Sequence, residues 1–220
     1  MAAGYIGQVV VEHLPELLLG FRTTVILSVV SMILGLALGT VLVTLRTMPV
    51  AAVRGLARLF IEFFRNIPIL IQLFFYYYAL PAIGISLSAF ACAVLGLSIY
   101  SGVFIAEALR AGMLSVGAGQ RDAALACGLT GMQALRYVIL PQAVRLVIPP
   151  LTNLLVFTIK TSALASVVQV AEVMQVTESI ESTTFRTFEL FTAAACFYLV
   201  LTLPLGAVSR WLERRLVLQR

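Results

Sequence analysis

Residues 23–45 read TTVILSVVSMILGLALGTVLVTL and contain no charged side chain. A helix needs about 20 mainly apolar residues to cross the hydrocarbon core of a bilayer, so this stretch predicts a membrane-spanning helix. Gly35 and Gly39 lie four residues apart within it. That spacing lets two membrane helices approach closely, although glycine is also common in membrane helices that have no such contact.

The rest of the chain has the same character. Of its 220 residues, 61% are hydrophobic and only 11% are charged, whereas about a quarter of the residues of a soluble domain are charged. Four further apolar runs occupy residues 59–80, 87–106, 146–168 and 188–208. The predicted fold class is therefore an all-α integral membrane protein with about five transmembrane helices. The three cysteines are far apart and predict packing roles, with no disulfide framework and no metal site.

Arginines between the apolar runs predict the orientation, because loops rich in Lys and Arg stay in the cytoplasm. With five spans, most of the 15 basic residues fall on one side. These residues are Arg46, Arg54, Arg58, Arg110, Arg121, Arg136, Arg145, Arg210, Arg214, Arg215 and Arg220. The chain then divides into an outer tail (1–22) that holds a solvated His13, one transmembrane domain (23–212) and a cytoplasmic tail (213–220). The net charge of +5 reflects this topology and indicates no nucleic-acid partner.

The longest segment between spans is the cytoplasmic loop of about residues 107–142. Residues 119–128 read GQRDAALACG, a run of helix formers that stops at a glycine. Thr130 and Gln133 have the spacing of a capping box, and we expect the helix that follows to end near Leu140, before Pro141. The loop is predicted to be a helix-turn-helix at the membrane surface. On composition alone, it could simply connect two spans.

The spacing within this loop resembles a known pattern. Asp122-Ala123-Ala124, Gly128 and Val138-x-Leu140-Pro141 have the spacing of the EAA motif found in permease subunits of ABC importers, with Asp122 and Val138 in place of glutamate and isoleucine. Further stretches are similar to the permeases for polar amino acids, the histidine/glutamine/glutamate type. These stretches are FRNIPILIQ (64–72), IKTSAL (159–164) and TFRTFE (184–189).

This resemblance implies the type I ABC importer permease fold in a bacterial inner membrane, with a periplasmic N-terminus. It implies a dimer with an identical or paralogous permease, two ABC ATP-binding subunits below and an extracytoplasmic solute-binding protein above. ATP and magnesium would be bound by the ATPase subunits, since this chain has no G-x-x-x-x-G-K-[ST] loop and no candidate catalytic cluster. The implied ATPase-coupling residues are Gly119, Gln120, Arg121, Asp122, Ala123, Ala124, Gly128, Leu140 and Pro141.

Charged residues inside predicted spans are the candidates for the substrate pathway, because a basic residue costs about 2.5–3.5 kcal/mol at the bilayer centre. Arg65 could pair with Glu62 at i,i+3, line the pathway or lie at the interface. Lys160, Thr161 and Ser162 could line the pathway or pack the bundle. We expect a polar amino-acid substrate, with glutamate or aspartate first. A small channel or secondary transporter without an ATPase is the alternative function.

Overall fold

The computed structural model describes residues 7–216, and within that range every regular element is helical. Two widened π-helical turns, Phe75–Ala79 and Leu135–Ile139, and two 3₁₀ segments, Leu80–Ile83 and Ser162–Val168, extend the α-helices. The α-helices are α1 (Gln8–Glu12), α2 (Leu14–Thr47), α3 (Ala51–Asn66), α4 (Ile69–Phe74), α5 (Ala89–Ser115), α6 (Ala118–Ala126), α7 (Gly131–Ala134), α8 (Leu140–Thr161), α9 (Val173–Thr184) and α10 (Thr187–Leu216). The predicted all-α fold is confirmed.

Helix α2 begins earlier than the sequence suggested, at Leu14 instead of residue 23. The described part of the predicted outer tail is therefore mostly helical. Pro15 is tolerated there because the backbone N–H groups in the first turn of a helix have no intrahelical hydrogen-bond partner, so the N–H that proline lacks is not needed. His13 is not simply solvated, since its Nδ1 lies 3.1 Å from Glu16 Oε1.

Helices α2 and α5 lie side by side and run in the same direction. A Cβ added to Gly35 would lie 3.2 Å from the Ser98 carbonyl oxygen, and one added to Gly39 would lie 2.8 Å from the Gly102 carbonyl oxygen. The pair spaced at i,i+4 therefore does bring two helices into close contact. Because both helices enter from the same end of the bundle, the segment between them must cross back.

That returning segment is a bent pair of helices, not the continuous helix predicted over residues 59–80. Helix α3 and the helical run Ile69–Ile83 meet at 100°. Pro68 causes the break, since it disfavours the helical conformation of the preceding residue, and Ile67 is extended at φ −94° and ψ 125°. The Gln72 side-chain amide donates to the carbonyls of Phe64 (3.1 Å) and Ile67 (3.0 Å), which lie at the end of α3.

Within the described range, four helical runs are long and apolar enough to cross a membrane, and the bent pair adds a fifth crossing only when its two helices are counted together as one span. Helix α8 returns against the end of α5, where Gly112 meets Val147. Helix α10 then runs antiparallel to α8, with Ser209 Oγ donating to Asn153 Oδ1 at 2.8 Å. The α6–α7 hairpin, the connection after α2 and the end of α10 share one end of the bundle, the hairpin face. Helix α9 lies at the opposite face.

Candidate functional site

The α6–α7 hairpin, residues 118–139, has the local geometry that the sequence predicted. Helix α6 ends before Gly128, whose φ of +83° lies in the left-handed region that glycine adopts without strain. The capping box is present: Thr130 Oγ1 accepts a bond from the Gln133 N–H at 3.3 Å, and Gln133 Oε1 accepts one from the Thr130 N–H at 2.8 Å. These local bonds fix the turn between the two arms.

The two alanines of the hairpin have different surroundings. Ala124 is buried on the side of α6 that packs against α7 and the following π turn, where Ala134 is also buried. Ala123 is exposed, as are the neighbouring polar residues Gly119, Gln120, Arg121 and Asp122. Ala124 therefore closes the hairpin itself, and Ala123 is the small residue available to a second protein.

Pro141 does not end the helix, contrary to the prediction. The chain continues as one helical run from Gly131 to Val168. Proline normally breaks a helix because its ring clashes with the carbonyl four residues earlier. Here the π turn at Leu135–Ile139 widens the backbone just before Leu140 and Pro141, and Pro141 falls in the first turn of α8.

Large apolar side chains cover the outside of the hairpin. Met132 is 71% exposed, Tyr137 is 64% exposed, and Leu125 is also exposed. Met132 and Tyr137 lie at the start of the helical run Gly131–Val168, and Leu125 lies on α6, outside the helices long enough to cross a membrane. Large exposed apolar side chains of this kind occur where a protein contacts another protein or a membrane.

Two sets of contacts that sequence reasoning missed join the helices on either side of the hairpin to the rest of the bundle. The ion cluster consists of Glu107 bonded to Arg46 and Arg110, with Arg110 Nη2 at 2.9 Å from Glu107 Oε2. It joins the ends of α2 and α5. Gly112 on α5 contacts Val147 and Ala143 on α8 without room for a side chain. The i,i+3 spacing of Glu107 and Arg110 was a visible signal, but the contact with Arg46 is long-range.

The three candidate pathway residues near position 160 do not share a face. Lys160 is exposed, whereas Thr161 is nearly buried and Ser162 is fully buried with its hydroxyl bonded to the Ile159 carbonyl at 2.7 Å. One helical turn away, Phe157 stacks on Tyr100 in the middle of α5, with ring centroids 5.9 Å apart. Lys160 therefore lies deep within the span, on an exposed face of α8 that also holds Asn153 and Phe157.

Arg65 lies at the end of α3, just before the bend. Both Arg65 and Glu62 are exposed, and no ion pair joins them among the described residues. Of the three alternatives for Arg65, the Glu62–Arg65 ion pair is therefore not formed. The Asn66 amide instead donates to the Glu62 carbonyl at 2.6 Å.

Glu172 lies between the fourth and fifth apolar runs of the sequence and is fully buried. It caps α9 by accepting the Gln175 N–H at 2.8 Å, and its other oxygen accepts from the hydroxyls of Tyr198 (2.6 Å) and Thr24 (3.4 Å). Burial raises the pKa of Glu172 above the ordinary glutamate value, against the effect of these donors. The carboxyl group thus ties α2, α9 and α10 together. The apolar residues directly before and after Glu172, in the stretch VAEVM (170–174), were the available signal.

Comparison with known proteins is consistent with this arrangement. The family model described as "Binding-protein-dependent transport system inner membrane component" matches residues 31–218. The probable glutamine ABC transporter permease GlnM of Bacillus subtilis is 39% identical, covering 90% of this chain and 91% of its own. The glutamine permease GlnP of Escherichia coli is 38% identical (92% and 94%), and the glutamate/aspartate permease GltJ of the same species is 32% identical (89% and 85%). A crystal structure of an amino acid ABC transporter with histidines superposes with a TM-score of 0.90 at 33% identity, covering 94% and 96%.

Proposed function

Because this chain belongs to the family of inner membrane components of binding-protein-dependent transport systems, we propose that it forms half of the translocation pathway of an amino-acid importer and is driven through the α6–α7 hairpin. The observation that carries this proposal is the hairpin itself. It is a capped pair of helices held beyond the spans, with an apolar outer surface that no part of the described chain covers.

The partner that fits this surface is an ABC ATP-binding subunit. Met132, Tyr137 and Leu125 offer apolar contact, and Ala123 permits close approach beside the charged Arg121 and Asp122. Movement of the hairpin would displace α5, which would in turn move α2 through the ion cluster and α8 through the contact between Gly112 and Val147. ATP and magnesium would be held by the ATPase subunits, and this chain would supply no part of the hydrolytic chemistry.

The hairpin face would be cytoplasmic and the opposite face periplasmic. Several arginines lie toward the hairpin face, which fits the preference of basic residues for the cytoplasm. These are Arg46 at the end of α2, Arg110 on α5, and Arg214 and Arg215 at the end of α10. The N-terminus would then be periplasmic and the C-terminus cytoplasmic. A solute-binding protein would deliver the amino acid at the face that holds α9.

The pathway would follow the exposed face of α8, between this chain and a second permease subunit. A basic side chain facing lipid at this depth would cost about 2.5–3.5 kcal/mol, whereas in an aqueous pathway Lys160 could attract a substrate carboxylate. We expect Lys160→Ala to lower uptake and substrate-stimulated ATP hydrolysis in the assembled importer. Unchanged values for both would remove Lys160 from the pathway. Thr161 and Ser162 are buried and would pack within the bundle, on the side of the helical run away from the pathway.

The substrate would be a polar amino acid. The sequence led us to expect glutamate or aspartate, while the two relatives with the higher identities are named for glutamine. We therefore place glutamine first and glutamate second. Uptake of each labelled amino acid by vesicles that contain the importer and its binding protein would decide between them.

The coupling role is tested by two matched alanine variants. Ala123 on α6 and Ala52 on α3 are both exposed, so tryptophan at either site should leave the fold intact. We expect Ala123→Trp to reduce co-purification with the ATP-binding subunit and to abolish ATP-dependent uptake, whereas Ala52→Trp should retain both. Equal behaviour of the two variants would refute the coupling role. Uptake that persists without any ATPase would favour the channel or secondary transporter.

A further inference from the structure

Helix α3 has three distinct sides. One side packs on the bundle through Ala57 and Ile61, which are buried. A second side is apolar but exposed, with Leu56 at 68%, Leu59 at 63% and Phe63 at 56% of full exposure. The third side is charged and exposed. Its residues are Arg54, Arg58, Glu62 and Arg65, which recur every three or four positions and so lie on one line along the helix.

The depth of α3 follows from the contacts of its buried side. Ile61 packs in a cluster with Leu42, Val103 and Ala106. These residues lie within about one helical turn of Arg46 and Glu107, the two residues that join α2 to α5 in the ion cluster. Because α3 also meets the next helix at 100°, it runs across the bundle near the hairpin face and not along the spans. A helix with an apolar side and an arginine-rich side at this depth has the pattern of a helix that lies in the membrane interface.

Two arginines on the charged side have no acidic partner. Neither Arg58 nor Arg65 forms an ion pair within residues 7–216, although Glu62 lies between them. Arg54 differs, because its Nη1 donates to the carbonyls of Met48 (3.0 Å) and Pro49 (2.7 Å) at the end of α2. The guanidinium groups of Arg58 and Arg65 are therefore available to an external anion, and their planar donors fit a phosphate.

We propose that α3 is an interfacial arm that binds anionic phospholipids in the leaflet at the hairpin face. Arg58 and Arg65 contact the headgroup phosphates, and the acyl chains lie against Leu56, Leu59 and Phe63. Charge complementarity favours an anionic lipid over a neutral one, and the apolar side next to the arginines favours a lipid over a free phosphate. The inference needs only the membrane location that the family gives and is independent of ATPase coupling. It also gives Arg65 a role outside the substrate pathway.

A single tryptophan can report on this side of α3, since Trp211 is the one native tryptophan. The Phe63→Trp/Trp211→Phe chain, purified at full length, is reconstituted in phosphatidylcholine vesicles. These contain a fixed fraction of either acyl-brominated phosphatidylcholine or acyl-brominated phosphatidylglycerol. We expect brominated phosphatidylglycerol to quench the tryptophan more strongly than brominated phosphatidylcholine. The binding preference for phosphatidylglycerol should be about fivefold for each arginine and should be smaller at high salt.

Charge variants on the same line of α3 complete the test. The preference for phosphatidylglycerol should fall to about one in Arg58→Gln/Arg65→Gln and should rise in Glu62→Gln, the control of opposite sign. Quenching by brominated phosphatidylcholine should persist in all variants, which shows that the arm still lies in the bilayer. Equal quenching by both lipids in the parent chain would overturn the proposal. So would an absence of quenching by either lipid, because a second copy of the chain would then cover this side.

Discussion

The close contact between α2 and α5 makes Gly39→Ala the sharpest test of the fold. The new Cβ would lie 2.8 Å from the Gly102 carbonyl oxygen and 2.7 Å from Ile105 Cγ2, while carbon contacts at optimal separation lie at about 3.5–4.0 Å. The carbonyl is part of a helix backbone and cannot rotate away, so the two helices must separate by roughly 0.7 Å to reach the lower end of that range. Overpacking of this kind costs about 1–3 kcal/mol.

Gly55→Ala is the matched control, because a Cβ at Gly55 on α3 would meet nothing within 4 Å. Both substitutions gain the same helix propensity, up to about 1 kcal/mol, so their difference isolates the packing cost. We expect Gly39→Ala to be less stable than Gly55→Ala by about 1–3 kcal/mol, or about 2–4 °C for each kcal/mol in a chain of this length. Equilibrium unfolding in detergent measures the difference. Equal stability of the two variants would refute the parallel packing of α2 on α5.

Three further predictions concern the hairpin, its anchor and the opposite face. Gly128→Val should force a strained left-handed residue, at about 1–2 kcal/mol, and should lower uptake with membrane insertion unchanged, whereas Gly131→Val, where φ is not positive, should transport normally. Glu107→Gln should leave Arg46 and Arg110 unneutralised and lower the unfolding free energy by about 1–3 kcal/mol; full stability in a detergent titration would contradict the ion cluster. Because its native pKa is raised, Glu172 should contribute stability that is complete at pH values below the ordinary glutamate pKa and is lost as the pH rises through the native pKa. The difference in unfolding free energy between the native chain and Glu172→Gln should therefore fall as the pH rises. A difference that does not change with pH would be evidence against the buried carboxyl.

Much of this architecture could be predicted from the sequence, because its signals are local. Hydropathy located the four long membrane helices, and Thr130, Gln133 and Gly128 specified the hairpin turn through bonds within a few residues. The two prolines misled in opposite ways. Pro68 ends α3, because the residue before it is extended and the chain bends there. Pro141 does not end its helix, because the preceding π turn widens the backbone, and no local sequence pattern indicates that turn.

The remaining features depend on contacts between distant parts of the chain. Glu107 looked like the start of a loop until α2 brought Arg46 to it. Glu172 lies between two apolar runs of the sequence, and its burial depends on Thr24 and Tyr198, which lie on other helices. Residues so far apart in the chain show no periodicity or fixed spacing that would predict these contacts. Only the folded arrangement therefore distinguishes these carboxylates from ordinary surface charges.

The claim that the hairpin is cytoplasmic and receives an ATPase can be tested through Cys127, an exposed residue of the hairpin. In the Cys196→Ala chain the remaining cysteine, Cys92, is buried, so a membrane-impermeant maleimide reports on Cys127 alone. We predict labelling in inside-out vesicles, none in right-side-out vesicles, and protection when the ATP-binding subunits are present. Labelling from the outside, or an equal rate with and without those subunits, would contradict the account.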